Sequence, residues 1–295
     1  MTPESSTATS TDAPQYVDAH NHLQDVRFAE RREDIVREAL QAGVTKMVVN
    51  GSCEEDWPTV ASLAEHYPSL IIPAFGYHPW YIGERTAHWK ANLVSWLDRF
   101  PNAVIGEIGI DQWILDQSPE RLARVAPAMV TPPPPMSEQE SVFVWQLKLA
   151  SERNLSASVH CLAALGKLQR LLEMHGSPKR GFLLHSYGGP LELVKPFIQL
   201  GARFSFAGYF AHERKQARRD VFARIPSERL LVETDAPDQV PPQPLIGHPL
   251  QAPDGTPLNH PANLPRIYQY LATLRAEPLP TLAKTTLENF HLLFS

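Results

Sequence analysis

The sequence lacks the features that mark three large classes of protein. Its 295 residues include only two cysteines, too few for a disulfide framework, so we predict a reducing, cytoplasmic compartment. No run approaches the roughly 20 consecutive apolar residues of a membrane-spanning helix, and we expect no membrane partner. Basic charge is not in excess, because 27 Lys and Arg face 32 Asp and Glu, for a net charge of −5. This balance disfavours a nucleic-acid coat protein but is compatible with a local basic track.

The composition predicts a substantial core, with 43% hydrophobic and 20% charged residues. The length fits either two small domains or one α/β barrel of roughly 250 residues. The first residues, MTPESSTATSTDAPQ, lack the apolar and basic segments of a signal peptide. We therefore predict a disordered tail over residues 1–14 and one domain over residues 15–295, and no obligate protein partner is evident.

Strand-like and helix-like segments alternate along the chain. Segments such as Val26–Ala42 and Glu138–Arg153 have helical spacing, and Gly43 and Gly201 stand where a helix would end before a strand. Eight short apolar runs have strand character: Tyr16–Ala19, Val44–Val49, Leu70–Phe75, Ala103–Ile105, Ser156–Val159, Phe182–Leu184, Ala202–Phe206 and Leu230–Val232. Eight parallel strands alternating with helices close a barrel, so the sequence predicts an α/β fold, a single-domain (β/α)8 TIM barrel.

Two proline-rich segments interrupt this alternation, Gln112–Met136 and Asp238–Pro261. Proline lacks a backbone donor and favours extended chain, so both are predicted to be long loops over the barrel mouth. A loop there can serve as a lid or as a substrate wall, and it can equally be plain surface. The sequence leaves these alternatives open.

Six potential metal ligands follow the strand-like runs, at the ends that form the catalytic face of such a barrel. The two histidines of DAHNH are spaced to share one face of a strand, and a carboxylate buried after AVIG would need a compensating partner. Each member alone has an ordinary explanation, such as a hydrogen-bonded core histidine. Asp18 is predicted to orient a histidine or to bind metal more remotely. Together the six indicate a metal-dependent hydrolase: His20, His22, Glu107, His160, His185 and Asp235.

An ordered set of motifs extends over most of the chain, from about Tyr16 to Phe294. In order they are DAHNHL, GYHPW, GEIGID, QLKLA, SVHC, LHSYGG, SFAGY and ETDAP. With these motifs the sequence resembles the TatD-like DNase family, within the amidohydrolase-type metal-dependent barrels. The resemblance implies two divalent ions. One would be held by His20, His22, Glu107 and Asp235, the other by Glu107, His160 and His185, with Glu107 as the bridge.

The predicted activity is hydrolysis of DNA phosphodiesters by a water that two divalent ions activate. Asp235 would orient that water and accept its proton, and Glu107 would fix the spacing of the ions. The resemblance implies a deoxyribonuclease, with 3′-to-5′ action on single strands. The ligands suit Zn, Mn or Co by softness, whereas the family likeness favours Mg, so the metal stays open. The alternatives are a barrel hydrolase of amides, esters or lactones and a non-catalytic metal-binding regulator.

Candidate substrate contacts come from three places. By motif resemblance, His78 in GYHPW and Asn259 in NHP would approach the scissile group. Arg214 in HERKQARR belongs to a basic segment that would bind a nucleic-acid backbone, unless it is a solvated helix face paired with Glu213 and Asp220. Trp80 and Tyr209 would stack on a base or pack as wall residues. Departures from the family pattern, such as CLAAL after SVHC and His260 in NHP, leave the substrate open.

Overall fold

The structure, a computed structural model, describes residues 14–126 and 129–295. The tail predicted for residues 1–14 lies outside the described residues except for Pro14. None of the described helices is long and apolar enough to cross a bilayer.

Eight parallel strands in sequence order form the predicted barrel. Hydrogen bonds between the ends of the first and last strands bring the two edges together, from Asp235 N to His20 O (3.0 Å) and from His22 N to Ala236 O (2.8 Å). The (β/α)8 prediction is therefore confirmed. The strands are β1 Tyr16–Asn21, β2 Val44–Asn50, β3 Ile71–Phe75, β4 Val104–Asp111, β5 Ala157–Leu162, β6 Phe182–Leu184, β7 Ala202–Ala207 and β8 Leu230–Glu233.

Helices follow every strand of the barrel. Gly43 and Gly201 end helical segments with φ of +90° and +93°, as their spacing predicted. The predicted helix Val26–Ala42 begins with a separate 3-10 turn at Val26–Phe28, and another 3-10 turn, Leu191–Leu193, precedes the helix that follows β6. The α-helices are α1 Arg32–Gln41, α2 Trp57–His66, α3 Trp89–Arg99, α4 Pro119–Val125, α5 Met136–Glu152, α6 Leu165–His175, α7 Val194–Gln199, α8 Gln216–Phe222, α9 Leu264–Leu274 and α10 Leu279–Phe294.

Period-two alternation divides the buried apolar residues into two clusters. In β6, for example, Phe182 and Leu184 belong to the larger cluster, together with apolar residues of the surrounding helices, whereas Leu183 belongs to the smaller one. The smaller cluster also takes residues from β1, β2, β3, β4 and β8, together with Phe290 and Leu293 of α10. Strand positions in phase with Leu183 therefore face the barrel interior, and His185 continues that phase at the end of β6.

Neither proline-rich segment is a plain loop, so this part of the prediction was wrong. Gln112–Met136 contains α4, because Ser118 caps the helix by accepting from Arg121 N and Pro119 occupies the first turn, where a missing N–H costs nothing. Asp238–Pro261 contains a two-stranded antiparallel hairpin, β9 Leu250–Gln251 and β10 Pro257–Leu258. The turn sequence between these strands includes Asp254 and Gly255, residues that favour tight turns.

Candidate metal centre

All six predicted ligands meet at the carboxyl ends of the strands, around Glu107. One oxygen of this carboxylate, Oε2, lies 3.4 Å from His20 Nε2 and 3.3 Å from His22 Nε2. The other, Oε1, lies 3.2 Å from His160 Nδ1 and 2.8 Å from His185 Nε2. The two oxygens of one carboxylate therefore face two separate pairs of histidines.

Asp235 completes the cluster on the β8 side. Its Oδ1 lies 3.6 Å from the Nε2 atoms of both His20 and His22. Its Oδ2 accepts a hydrogen bond from Gln239 Nε2 at 2.5 Å, which leaves Oδ1 directed at the histidines. Asp235 has a φ of +54°, an uncommon conformation for a residue other than glycine. The hydrogen bond from Asp235 N to His20 O fixes this backbone conformation, which brings the Asp235 carboxylate to the cluster.

The β1 histidines are held by neighbours that the sequence did not identify. His20 Nδ1 lies 2.8 Å from Ser158 Oγ, and His22 Nδ1 donates to the Asn50 carbonyl at 2.8 Å. Both contacts use the outer ring nitrogen and leave Nε2 directed at Glu107. Such partners fix the orientation of a ligating imidazole and, where the partner accepts, its tautomer. Asn50 lies on β2, which pairs with β1, whereas Ser158 lies on β5, which is not a neighbour of β1 in the sheet, so its contact with His20 depends on the closed barrel.

Asp111 holds His160 in the same way, and sequence reasoning missed it too. His160 Nε2 donates to Asp111 Oδ2 at 2.9 Å, which directs Nδ1 at Glu107. Trp80 Nε1 donates to the same Oδ2 at 2.7 Å, and Ile114 N donates to Oδ1 at 2.9 Å. A signal was present in GEIGID, because a second carboxylate follows Glu107 at the end of one buried strand.

Asp18 does not orient a histidine ring, contrary to expectation. Its buried oxygens accept from the backbone N of Thr234 (2.9 Å), the hydroxyl of Thr234 (2.6 Å) and the amide of Asn21 (3.1 Å). The carboxylate therefore fastens β1 to the chain after β8. Desolvation raises the pKa of Asp18 to about 7 despite these hydrogen bonds.

The electrostatics of the cluster suit a bound cation. Burial alone would raise the pKa of Glu107, but the facing imidazoles hold it well below its ordinary value. Burial opposes the charged form of His22 and of His160 as well, yet the nearby Glu107 carboxylate raises the pKa of both to about 10, together with the hydrogen bond and charge of Asp111 in the case of His160. A cation bound among these side chains would supply the positive charge that the Glu107 carboxylate favours.

A second observation tests whether metal fits. Glu107 Oε1 is buried and has no hydrogen-bond partner among the described residues, although three imidazole nitrogens lie within 3.4 Å of it. A buried carboxylate oxygen without a hydrogen bond is costly unless another group satisfies it. Metal coordination would do so. Three overlapping groups have donor atoms within 4.8 Å of one another, close enough to share an ion. They are His20, His22 and Glu107; His20, His185 and Asp235; and His78, Glu107 and His160.

The three predicted substrate contacts differ in position. His78 joins the cluster, with Nε2 at 3.4 Å from Glu107 Oε1, and burial lowers its pKa to about 4. Asn259 is not brought there: it is fully buried, its amide donates to Thr234 O (2.7 Å), and its oxygen accepts from His260 N (2.8 Å). These bonds stabilise the chain between β8 and α9.

Arg214 lies on the rim after β7. It is exposed, donates to Tyr209 Oη at 2.6 Å and lies 5.4 Å from the Tyr209 ring centroid, with Lys215 Nζ at 4.7 Å from the same ring. Arg219 of the same basic segment is buried and donates to backbone carbonyls, so its role is structural. Contact between Arg214 and a substrate stays a prediction.

Comparisons with known proteins agree with this geometry. Residues 17–295 match the family described as TatD related DNase. An uncharacterized metal-dependent hydrolase, YjjV of Escherichia coli K12, is 31% identical over 95% of this chain and 98% of its own. The 3′-5′ ssDNA/RNA exonuclease TatD of the same strain is 31% identical over 92% and 96%. The crystal structure of YjjV superposes with a TM-score of 0.78 at 30% identity and covers 95% of this chain and 97% of its own. The chain therefore belongs to the TatD-related DNase family.

Proposed function

We propose that this protein is a 3′-to-5′ exonuclease that hydrolyses phosphodiesters of single-stranded nucleic acid with two divalent ions. The proposal rests on the position of the Glu107 carboxylate between two pairs of histidines. Its Oε2 faces His20 and His22, and its Oε1 faces His160 and His185. Two ions bridged in this way are typical of phosphodiester hydrolysis. Relatives named as exonucleases at about 30% identity support the substrate class.

The residues would share the work as follows. Glu107 would hold both ions, with Asp235 joining His20 and His22 at the first. Ions bound there would supply Lewis acidity toward a phosphodiester and lower the pKa of water. Asp235 Oδ1 would orient the attacking water and take its proton. Burial raises the pKa of Asp235 to about 6, against the lowering effect of nearby histidines, which suits a base near neutral pH.

His78 is the candidate for contact with the scissile phosphate. The residue is 6% exposed, and its ring lies beside both Glu107 and His160, with ring centroids 4.6 Å apart for the two histidines. A neutral imidazole with one donor nitrogen there would hydrogen-bond a phosphate oxygen.

The donor set of histidines and carboxylates favours Zn or Mn over Mg. Both cysteines are free, which agrees with a reducing cytoplasm.

The test uses metal-stripped protein reloaded separately with Zn, Mn or Mg. Single-stranded DNA and RNA labelled at the 5′ end should shorten stepwise from the 3′ end, whereas a duplex should resist. Asp235→Asn should retain the fold and lose most activity. Hydrolysis of a panel of esters, amides and lactones, with intact oligonucleotides under every metal, would contradict the proposal and favour the small-substrate alternative. Turnover of neither class would favour a regulator.

A further inference from the structure

A row of aromatic rings leads from the metal centre to the barrel rim. The Trp80 ring lies 6.4 Å from the His160 ring, and the Trp113 ring lies 6.4 Å from Trp80, with the two indole planes 29° apart. Asp111 Oδ2 accepts from both Trp80 Nε1 (2.7 Å) and His160 Nε2 (2.9 Å). One carboxylate thus ties the row to a proposed metal ligand.

The outer part of this row belongs to the segment between β4 and α5. Trp113 is half-buried, and the guanidinium of Arg121 on α4 lies 5.6 Å from its ring centroid. Arg121 is exposed and makes no ion pair within the described ranges 14–126 and 129–295. The described side chains of α4 are exposed except for the half-buried Leu122, so this helix adds little to the core.

Exposed apolar surface adjoins the same place. Leu162, at the end of β5, is 41% exposed, and its carbonyl accepts from Gln112 N at 3.0 Å, directly before Trp113. Large apolar side chains left open beside a catalytic cluster are typical of a binding surface. We call Trp80, Trp113 and Arg121 the tryptophan ledge.

We propose that the tryptophan ledge binds the nucleotide adjoining the scissile one, with its base stacked on Trp113 and its phosphate held by Arg121. The inference rests on the proposed function and assigns the strand a direction of exit, across the rim between β3 and β4. An indole face accepts any base, and the Arg121 guanidinium that lies over the Trp113 ring would turn aside from that face to hold the anionic backbone. This pairing of flat ring and cation fits a single strand better than a peptide or a duplex.

Steady-state kinetics on two substrates would test the ledge. Trp113→Ala should raise KM for oligothymidylate by roughly 5- to 150-fold, the value of one base stack, with little change in kcat. The methyl ester of thymidine 5′-phosphate has neither an adjoining nucleotide nor a second aromatic ring, and its hydrolysis should be unchanged. Trp113→Phe should restore most of the affinity. Equal losses on both substrates, or none on either, would overturn the proposal.

An abasic substrate provides an independent check. Removal of the base from the nucleotide that adjoins the scissile one should raise KM of the wild-type enzyme as much as Trp113→Ala does. It should raise KM of the Trp113→Ala variant no further. Arg121→Ala should raise KM more than Arg124→Ala, a matched charge loss on the same exposed helix. Additive losses from abasic site and variant, or equal effects of the two arginines, would count against the ledge.

Failure of the proposed function can be told apart from failure of the ledge. If the wild-type protein cleaved no nucleic acid, the proposed function would fail, and binding would still be measured by anisotropy of labelled oligothymidylate. The ledge predicts weaker binding by Trp113→Ala than by wild type. Equal binding would overturn it.

Discussion

Asp111→Asn removes one negative charge behind the metal centre with almost no change of shape. In the native protein Asp111 Oδ2 accepts from His160 Nε2 and Trp80 Nε1, while Oδ1 accepts from Ile114 N. An asparagine has only one acceptor oxygen, so its NH2 group must face one of these N–H donors. The amide oxygen can keep the bonds from His160 and Trp80 only if the NH2 group faces Ile114 N, so a buried donor is left unsatisfied in either orientation. A neutral amide oxygen also holds the His160 ring more weakly than a carboxylate does.

The expected loss can be worked out from two opposing effects. Loss of an outer hydrogen-bond partner typically weakens metal binding by roughly 10- to 100-fold, or about 1.4–2.7 kcal/mol. Asp111 also helps to raise the pKa of His160 to about 10, so its removal reduces the competition by protons and offsets part of that loss. We expect about tenfold weaker binding of one ion at pH 8, and little change for the other.

Calorimetric titration of metal-stripped protein would measure both ions. The matched control is Asp116→Asn, an exposed residue whose carboxylate accepts from Gln112 at 3.1 Å and contacts no ligand. The control should titrate as wild type. Unchanged affinity at both sites in Asp111→Asn, or equal weakening at both, would refute the reasoning that Asp111 acts through His160.

Three further outcomes are expected. Metal loading at pH 8 should release about two protons, because His22 and His160 have pKa values of about 10 and metal ligands must be deprotonated. Calorimetry in buffers of different ionisation enthalpy measures the number of protons released. Release of no protons would contradict this prediction. Burial lowers the pKa of His260 to about 4, against about 6.5 in the unfolded chain. The free energy of unfolding should therefore fall as the pH drops below 6.5, by about 2 kcal/mol at pH 5. Urea unfolding of chelator-treated protein should show this loss in wild type and a smaller one in His260→Gln; equal losses would exclude the mechanism. Gly109→Ala would place a methyl group 1.9 Å from His160 O and should lower the free energy of unfolding by about 3 kcal/mol or more. Gly166→Ala, at an exposed position of α6, should be neutral or slightly stabilising in thermal unfolding.

The sequence was sufficient for the strand order and for the convergence of the six predicted ligands at one end of the barrel. Each of those side chains follows a local apolar run, so short-range pattern locates it. β4 shows the limit: its prediction ended at Ile105, but the strand continues to Asp111. Glycine and a carboxylate in GEIGID resemble the end of a strand. The pairing of β4 with β5 shifts register between Ile105 and Ile108, where Glu107 turns toward the cluster.

Side-chain contacts between different strands could not be predicted from the sequence. Ser158 and Asp111 act on histidines far away in the chain, and the pairing of Gly109 with His160 is what brings Asp111 within 2.9 Å of that ring. Asn259 and Asp18 stand in suggestive motifs, yet both side chains are occupied by hydrogen bonds around Thr234. Whether a polar side chain faces the cluster or its own loop depends on tertiary geometry.

Counting bound ions tests the central claim most directly. Native mass spectrometry of reloaded protein should find two divalent ions per wild-type chain. It should find one ion in His160→Ala and neither tightly bound in Glu107→Ala, with all three proteins folded by circular dichroism. Two ions retained without Glu107, or a wild-type chain that never binds more than one, would contradict a centre built around a shared carboxylate.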